Sequence, residues 1–100
     1  MARDDLSEGE RLETLRQAIE RLDEELIDLL ARRLALAAEI GRAKRRLGLP
    51  VLDPAREAEV VRRGAGLARE RGVDPELVRD LLWRIIAQAR VVQDREAGPP

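Results

Sequence analysis

The sequence predicts an all-α protein, and three observations support that fold class. Aromatic residues make up 1% of a chain that is 44% hydrophobic, so the core must consist of Leu, Ile, Val and Ala, which fill helix interfaces well. Apolar residues recur at steps of three and four, the period of an amphipathic helix. Two Asp-Pro pairs each begin a further helical segment. We expect three helices, one long, one short and one medium, with no strands and no internal repeat.

The first and longest helix is predicted from about residue 8 to about residue 47. Ser7 and Glu10 have the spacing of a capping box, and Gly48 followed by Pro50 ends the helical pattern. Between these signals the apolar stripe is interrupted at position 33, which is Arg. The members of the stripe are Leu12, Leu15, Ile19, Leu22, Leu26, Leu29, Leu36, Ile40, Ala43 and Leu47.

A helix of this length predicts a dimer. It measures about 60 Å, whereas a compact globule of this size has a radius of gyration of only about 13 Å. The remaining half of the chain cannot cover the apolar stripe, so a second chain must do so. We therefore predict an intertwined homodimeric helical bundle, with the long helices side by side and the other two helices wrapped around them.

The second and third helices begin with the same signal. Asp53-Pro54 provides an N-cap followed by proline at the first helical position, and this helix continues to about Arg71. Asp74-Pro75 begins the third helix, which frays into the terminal Gly-Pro-Pro. Residues 1–100 are expected to form a single domain, with a core at about 8–96 and short tails.

The charge pattern excludes several classes of partner. A net charge of -1, with 39% charged residues, leaves no basic excess to neutralise phosphates, so nucleic acid is not an expected partner. No apolar run approaches the roughly 20 residues that span a bilayer, and the first ten residues are too polar for a signal peptide. A cytoplasmic protein without a membrane partner is predicted.

The residue inventory also limits the chemistry. The chain has no His, Cys or Tyr, and its only hydroxyl side chains are Ser7 and Thr14. A catalytic triad, a histidine acid/base pair and a zinc site are therefore excluded, and we expect no metal and no cofactor. An enzyme built from this inventory must act through charge and shape.

Two cations on one face of the first helix are candidate site residues. Arg33 lies in the apolar stripe, and Lys44, the single lysine of the chain, is eleven residues further on, within about 20° of the same direction and about 16 Å along the axis. Ala37 and Gly41 near that face are small, which predicts a cavity between the cations. Alternatively, Arg33 snorkels or pairs with an acid, and Lys44 is a cation favoured near a helix C-terminus.

Four other polar residues are also candidate site residues. Gln93 projects on the apolar side of the third helix, or is an exposed amide near its end. Arg56 and Glu57, in the first turns of the second helix, contribute to a site or form a solvated pair. Arg16 is about 25 Å from Arg33 along one helix, so the two meet one small molecule only if a partner chain supplies Arg16 in an antiparallel dimer.

Several motifs resemble those of one family. The run LRQAIERLDEELIDLLARRLALAAEIGRAK, then PVLDPAREAEVV, then LVRDLLWRIIAQARVVQ, is similar to the all-helical chorismate mutases, which are intertwined dimers of three-helix chains. The similarity covers about residues 12–93. It implies a chorismate mutase that converts chorismate to prephenate in the biosynthesis of phenylalanine and tyrosine.

The resemblance implies roles for the three basic candidates. Arg16 matches the arginine that reaches into the partner's site and binds a substrate carboxylate. Arg33 matches the arginine that binds the other carboxylate. Lys44 matches the lysine that contacts a carboxylate and the ether oxygen of the substrate.

Roles for the remaining residues follow from the same resemblance. Asp53, Arg56 and Glu57 match the segment that closes over the substrate, with Glu57 accepting a hydrogen bond from its ring hydroxyl. Gln93 matches the amide that donates to the ether oxygen. Ala89 stands where some members have serine, which removes one hydrogen bond to a carboxylate. The second helix is also glycine-rich for the family, since Gly64 and Gly66 each weaken a helix interior by about 1 kcal/mol.

The implied reaction agrees with the inventory, because a pericyclic rearrangement needs no nucleophile, proton transfer or metal. It needs a dianionic substrate held in a near-attack conformation and donors at the breaking C–O bond. Two alternatives remain open. One is an isochorismate pyruvate lyase on the same fold, and the other is a non-catalytic helical dimerisation module in which Arg33 and Lys44 pair with acids.

Overall fold

The chain is built of helices throughout its described length. A computed structural model describes residues 2–97, and side chains are described for residues 7–96. Within that range the elements are α1 (Ala2–Leu47), α2 (Pro54–Glu70) and α3 (Pro75–Ala97), and none is a strand. The all-α prediction, with a long, a short and a medium helix, is confirmed. The terminal Gly-Pro-Pro lies outside the described residues.

The predicted start of the first helix is wrong. The helix begins at Ala2 rather than near residue 8, so Ser7 lies inside α1 and is not its N-cap. No glycine or proline separates Ala2 from Ser7, so nothing in this segment interrupts helix propagation toward the N-terminus. The capping-box spacing was therefore a local signal that the continuous helix overrides.

The C-terminal ends of α1 and α2 use the same turn. Gly48 and Gly72 have φ values of +68° and +69°, the left-handed conformation that glycine adopts without a Cβ clash. After α1, the Leu49 amide donates to the Lys44 carbonyl at 2.9 Å and the Gly48 amide to the Arg45 carbonyl at 3.2 Å. These are the two bonds of a Schellman motif. This turn reverses the chain and directs residues 49–53 back along the end of α1.

Both Asp-Pro starts are confirmed. Asp53 precedes Pro54 as the N-cap of α2, and its side chain accepts a hydrogen bond from the Arg56 amide at 3.2 Å. Asp74 accepts one from the Glu76 amide at 3.0 Å, next to the start of α3 at Pro75. Each aspartate thus satisfies an amide that has no partner within its helix.

The chain divides into two compact units, Met1–Arg33 and Leu34–Pro100, and the boundary falls within α1. In its described part, the first unit consists of the N-terminal portion of α1 alone. The second unit contains the rest of α1 together with α2 and α3. The expectation of a single domain over residues 1–100 stays a prediction.

The core of the second unit is small. It consists of short apolar side chains, with Val61, Ala65 and Ala68 at steps of four and three along α2. From α3, Ile86 and Ala89 are also buried, and Ala37 is buried on α1. Larger apolar side chains remain exposed on α1 and α3, and none of the described helices is both long and apolar enough to cross a membrane.

Candidate functional site

Lys44 is the centre of a polar cluster in the second unit. Its side chain is half-buried in the last turn of α1, and its Nζ donates hydrogen bonds to the Val51 carbonyl at 2.7 Å and to Gln93 Oε1 at 2.8 Å. Val51 belongs to the segment that the glycine turn after α1 folds back, and Gln93 lies on α3. Three separate parts of the chain therefore meet at one ammonium group.

The contact with Lys44 determines how the Gln93 amide is oriented. An ammonium group is only a donor, so it must face the amide oxygen of Gln93. The Nε2 group and its two N–H donors then face away from Lys44. The ammonium itself carries three N–H donors, one more than the two contacts use. Lysine and glutamine together thus present positive charge and N–H donors to a ligand in a half-buried position.

The close approach of α1 and α3 at this point depends on Gly41. A Cβ at position 41 would lie 2.8 Å from both the Cα and the carbonyl oxygen of Gln93, which is too close for any other residue without a backbone shift. Gly41 and Ala37 are both buried. The backbone of α3 fills the space beside Gly41, and the cavity predicted between Arg33 and Lys44 stays a prediction. The glycine brings Gln93 within reach of Lys44.

Glu57 and Arg90 form a second polar pair in the same unit. Glu57 Oε2 on α2 lies 3.0 Å from Arg90 Nε on α3, and the Glu57 side chain is only 15% exposed. The Nε atom is shielded from solvent, and its N–H is not directed at an acceptor in hydrogen-bond geometry, so the contact is an ion pair. Arg90 precedes Gln93 by three residues, so the two side chains neighbour each other on α3.

The other residues predicted for the α2 segment have local partners in the described structure. Asp53 is exposed, and its carboxylate caps α2. Arg56 is exposed and lies 3.5 Å from Glu59 on the same helix. Ala89 is buried in α3 with 6% of its surface exposed. The structure therefore joins Lys44 to Gln93, but it does not bring Asp53 or Arg56 to either of them.

The two arginines of the first unit lie on α1. Arg16 is exposed and Arg33 is half-buried. Both belong to the unit of residues 1–33, whereas Lys44 and Gln93 belong to the unit of residues 34–100. Their predicted roles stay predictions.

Sequence reasoning missed two residues that take part in these polar contacts. Val51 contributes a backbone carbonyl, which has no signature in the side-chain pattern. Arg90 contributes a side chain three residues before Gln93, and this helical spacing could have indicated it. Among residues 7–96, no group of three or more acidic side chains is placed to hold a metal ion.

The fold and the cluster define a class of protein: an all-helical domain whose polar site offers ammonium, amide and ion-paired carboxylate groups. Residues 15–94 match the family model described as chorismate mutase type II. The chain belongs to this family.

Curated relatives agree with the family. The chain is 42% identical over 78 residues to a T-protein of Enterobacter agglomerans, a match that covers 78% of this chain and 21% of that protein. It is 34% identical over 89 residues to a 4-amino-4-deoxychorismate mutase of Streptomyces venezuelae, covering 89% of this chain and 86% of the relative. A chorismate mutase of Methanocaldococcus jannaschii is 30% identical over 84 residues, with 84% and 85% covered.

The chain spans about a fifth of the length of the T-proteins that it matches, 21% in each of two species. It spans most of the length of the two shorter relatives. The match is therefore to one part of the longer proteins and to nearly the whole of the shorter ones.

Proposed function

We propose that this chain is a chorismate mutase, which rearranges chorismate to prephenate for the biosynthesis of phenylalanine and tyrosine. The observation that carries the proposal is the half-buried hydrogen bond of 2.8 Å between Lys44 and Gln93 in a chain that belongs to this family. The reaction is pericyclic. One C–O bond breaks and one C–C bond forms within the same molecule, so no proton, electron or co-reactant is exchanged.

Catalysis by this chain relies on a positive charge and N–H donors that are already in position before the reaction begins. Negative charge builds on the ether oxygen as the C–O bond breaks. Lys44 and Gln93 donate to that oxygen, and they stabilise the transition state more than the ground state because the charge is greater there. Lys44 is held by Val51 and Gln93 before substrate binds, so little reorganisation is needed.

Substrate binding is assigned to the basic residues. Chorismate is a dianion with two carboxylates. Cations that bind these carboxylates hold the substrate's own side chain over its ring in a near-attack conformation. Arg33 and Lys44 provide these contacts from one chain. Arg16 provides a further one from the partner chain.

The residues of α2 and α3 complete the proposed site. Glu57 accepts a hydrogen bond from the ring hydroxyl, a role supported by its low exposure. Asp53 and Arg56 belong to the segment that closes over the substrate. Ala89 lies beside the substrate without a hydrogen bond to it, since its side chain is a methyl group.

The homodimer is part of the same proposal. It is supported by a row of large apolar side chains on the first unit, each between 49% and 60% exposed in the single chain. Contiguous apolar surface of this kind marks an interaction site. Its members are Leu12, Leu15, Ile19, Leu22, Leu26 and Leu29. A cytoplasmic location stays a prediction.

One experiment separates the proposal from its alternatives. The purified chain is incubated with chorismate and, separately, with isochorismate, and the products are identified. Prephenate from chorismate is the expected result. Efficient formation of salicylate and pyruvate from isochorismate would instead identify a lyase on the same fold, and no turnover of either compound would leave a helical dimerisation module.

A further inference from the structure

Arg90 is a charged residue of α3 to which neither the family resemblance nor the proposed mechanism gives a role. Its Nε lies 3.0 Å from Glu57 Oε2, and its side chain is 39% exposed. Arg90 stands one helical turn before Gln93, which holds Lys44. Arg90 and Gln93, which neighbour each other on α3, thus each contact a residue of the proposed site. Arg90 contacts Glu57, and Gln93 contacts Lys44.

The ion pair differs from the other described ion pairs in the burial of its carboxylate. The Glu57 side chain is 15% exposed, whereas the glutamates of the other four pairs are between 38% and 72% exposed. Charges removed from water interact more strongly, because solvent screens them less. Arg90 therefore influences Glu57 more than the other paired arginines influence their more exposed glutamates.

The pairing with Arg90 determines which kind of hydrogen-bond donor the Glu57 carboxylate binds best. An unpaired carboxylate attracts a cationic donor more strongly than a neutral one. Arg90 already neutralises Glu57 through Oε2, which leaves Oε1 as an acceptor for a neutral hydroxyl. An ammonium group at the same position would gain little from the neutralised carboxylate and would be repelled by the guanidinium.

We propose that Arg90 is a specificity-determining residue, which makes the site prefer a cyclohexadiene dicarboxylate with a ring hydroxyl over the analogue with a protonated ring amine. The inference rests on the proposed function, since it takes Glu57 as the residue that meets the ring substituent. The two compounds that differ in this way are chorismate and 4-amino-4-deoxychorismate, the second of which appears in the name of a relative.

The test compares kcat/KM for both compounds in four proteins. The wild type is expected to prefer chorismate. Arg90→Gln keeps a polar side chain but removes the charge, so the preference should fall by about tenfold or more, mainly through a lower KM for the amino compound. Arg90→Lys keeps the charge and should keep the preference. Arg42→Gln is the matched control, since it breaks an Arg–Glu pair at the same 3.0 Å distance outside the proposed site.

A reciprocal variant guards against a folding defect in Arg90→Gln. Glu57→Gln leaves the Arg90 charge without its neutralising carboxylate, so turnover of the amino compound should fall more than turnover of chorismate. Circular dichroism establishes that each variant is helical.

The outcomes distinguish this inference from the proposed function. Turnover of chorismate by the wild type, with the same substrate preference in Arg90→Gln as in wild type, would overturn the role of Arg90 alone. A wild type that prefers the amino compound would also overturn it. If the wild type converts neither compound, the proposed function fails and the specificity inference fails with it.

Discussion

Lys44 makes two hydrogen bonds that depend on the compact shape of an ammonium group. Its Nζ reaches the Val51 carbonyl and Gln93 Oε1 at 2.7 Å and 2.8 Å from a half-buried position. A guanidinium is a wide planar fork with fixed donor directions, so it cannot take the place of a point charge between these acceptors. The other basic residues of the chain are all arginine, which indicates that this position requires lysine.

The first prediction concerns this residue. Lys44→Arg preserves the charge but is expected to lower kcat for chorismate by about a hundredfold, because the longer side chain displaces Gln93 and Val51. Lys44→Ala should lower kcat by a similar or larger factor. Steady-state assays of prephenate formation measure both effects, with Arg45→Lys as a control at the next, exposed position. Near-normal turnover in Lys44→Ala would sink the role assigned to Lys44.

Gly41 is the second residue with a specific role, because it sets the distance between α1 and α3. In Gly41→Ala the new Cβ would lie 2.8 Å from the Gln93 backbone, so α3 must move away and the Lys44–Gln93 bond must lengthen. We expect kcat to fall by about tenfold. Alanine is the better helix former by about 1 kcal/mol, so any gain in melting temperature would contradict the close packing.

A matched control for Gly41 exists on the same helix. At Gly9 an added Cβ meets nothing within 4 Å. Gly9→Ala should therefore leave kcat unchanged. If Gly9→Ala and Gly41→Ala behave alike, the packing of Gly41 against α3 is not what the activity requires.

Among the elements, α2 shows how one helix uses two glycines differently. The Gly64 position faces Leu82 of α3 so closely that a Cβ there would displace the leucine side chain, while Gly66 has nothing within 4 Å of an added Cβ. Gly64 therefore allows α2 to pack closely against α3. Glycine 66 has no such contact among the described residues.

This difference predicts opposite effects of the same substitution two residues apart. Gly66→Ala should raise the free energy of unfolding by about 0.5–1 kcal/mol, since alanine restricts the unfolded chain and favours the helix. Gly64→Ala should lower it by about 1 kcal/mol through overpacking against Leu82. Urea denaturation at one protein concentration measures both, and fluorescence of Trp83 reports the transition. A Gly64→Ala protein as stable as Gly66→Ala would contradict the packing.

The elements also show where local signals suffice. The starts of α2 and α3 and the ends of α1 and α2 were predicted because proline, aspartate and glycine act within a few residues of where they stand. The start of α1 was predicted wrongly, since Ser7 is equally compatible with a cap and with a helix interior. Only the continuation of the helix to Ala2 decides between them.

At the scale of the whole molecule, the exposed apolar row on the first unit is the main feature. Leu22 and Leu26 are 60% and 57% exposed in the single chain, although leucine is normally buried. An amphipathic helix is stabilised mainly by packing of its apolar face against another element. The proposed homodimer supplies that packing.

The dimer gives the fourth prediction. Leu22→Asp places a charge in the apolar row and should shift the protein toward monomers, with loss of helicity, because the buried carboxylate would have no partner. Gln17→Asp adds the same charge to an exposed position on the opposite side of α1 and should leave the dimer intact. Light scattering gives both masses. A wild-type mass equal to one chain would contradict the homodimer.

The sequence by itself determined the fold class, the three helices and the family. Each depends on periodicity or on motifs that are local in the chain, and a helix satisfies its own backbone hydrogen bonds whatever packs against it. The sequence also indicated Lys44 and Gln93, because polar residues on apolar faces are costly unless they have a partner.

Only the tertiary structure decided which polar groups meet. The Lys44 bond to a backbone carbonyl, the close approach at Gly41 and the pairing of Glu57 with Arg90 join residues between 7 and 52 positions apart. Such contacts depend on the distance and rotation between helices, which a periodic pattern leaves open. For that reason Asp53 and Arg56, close to Glu57 in the chain, have local partners in the structure while Arg90 is the partner of Glu57.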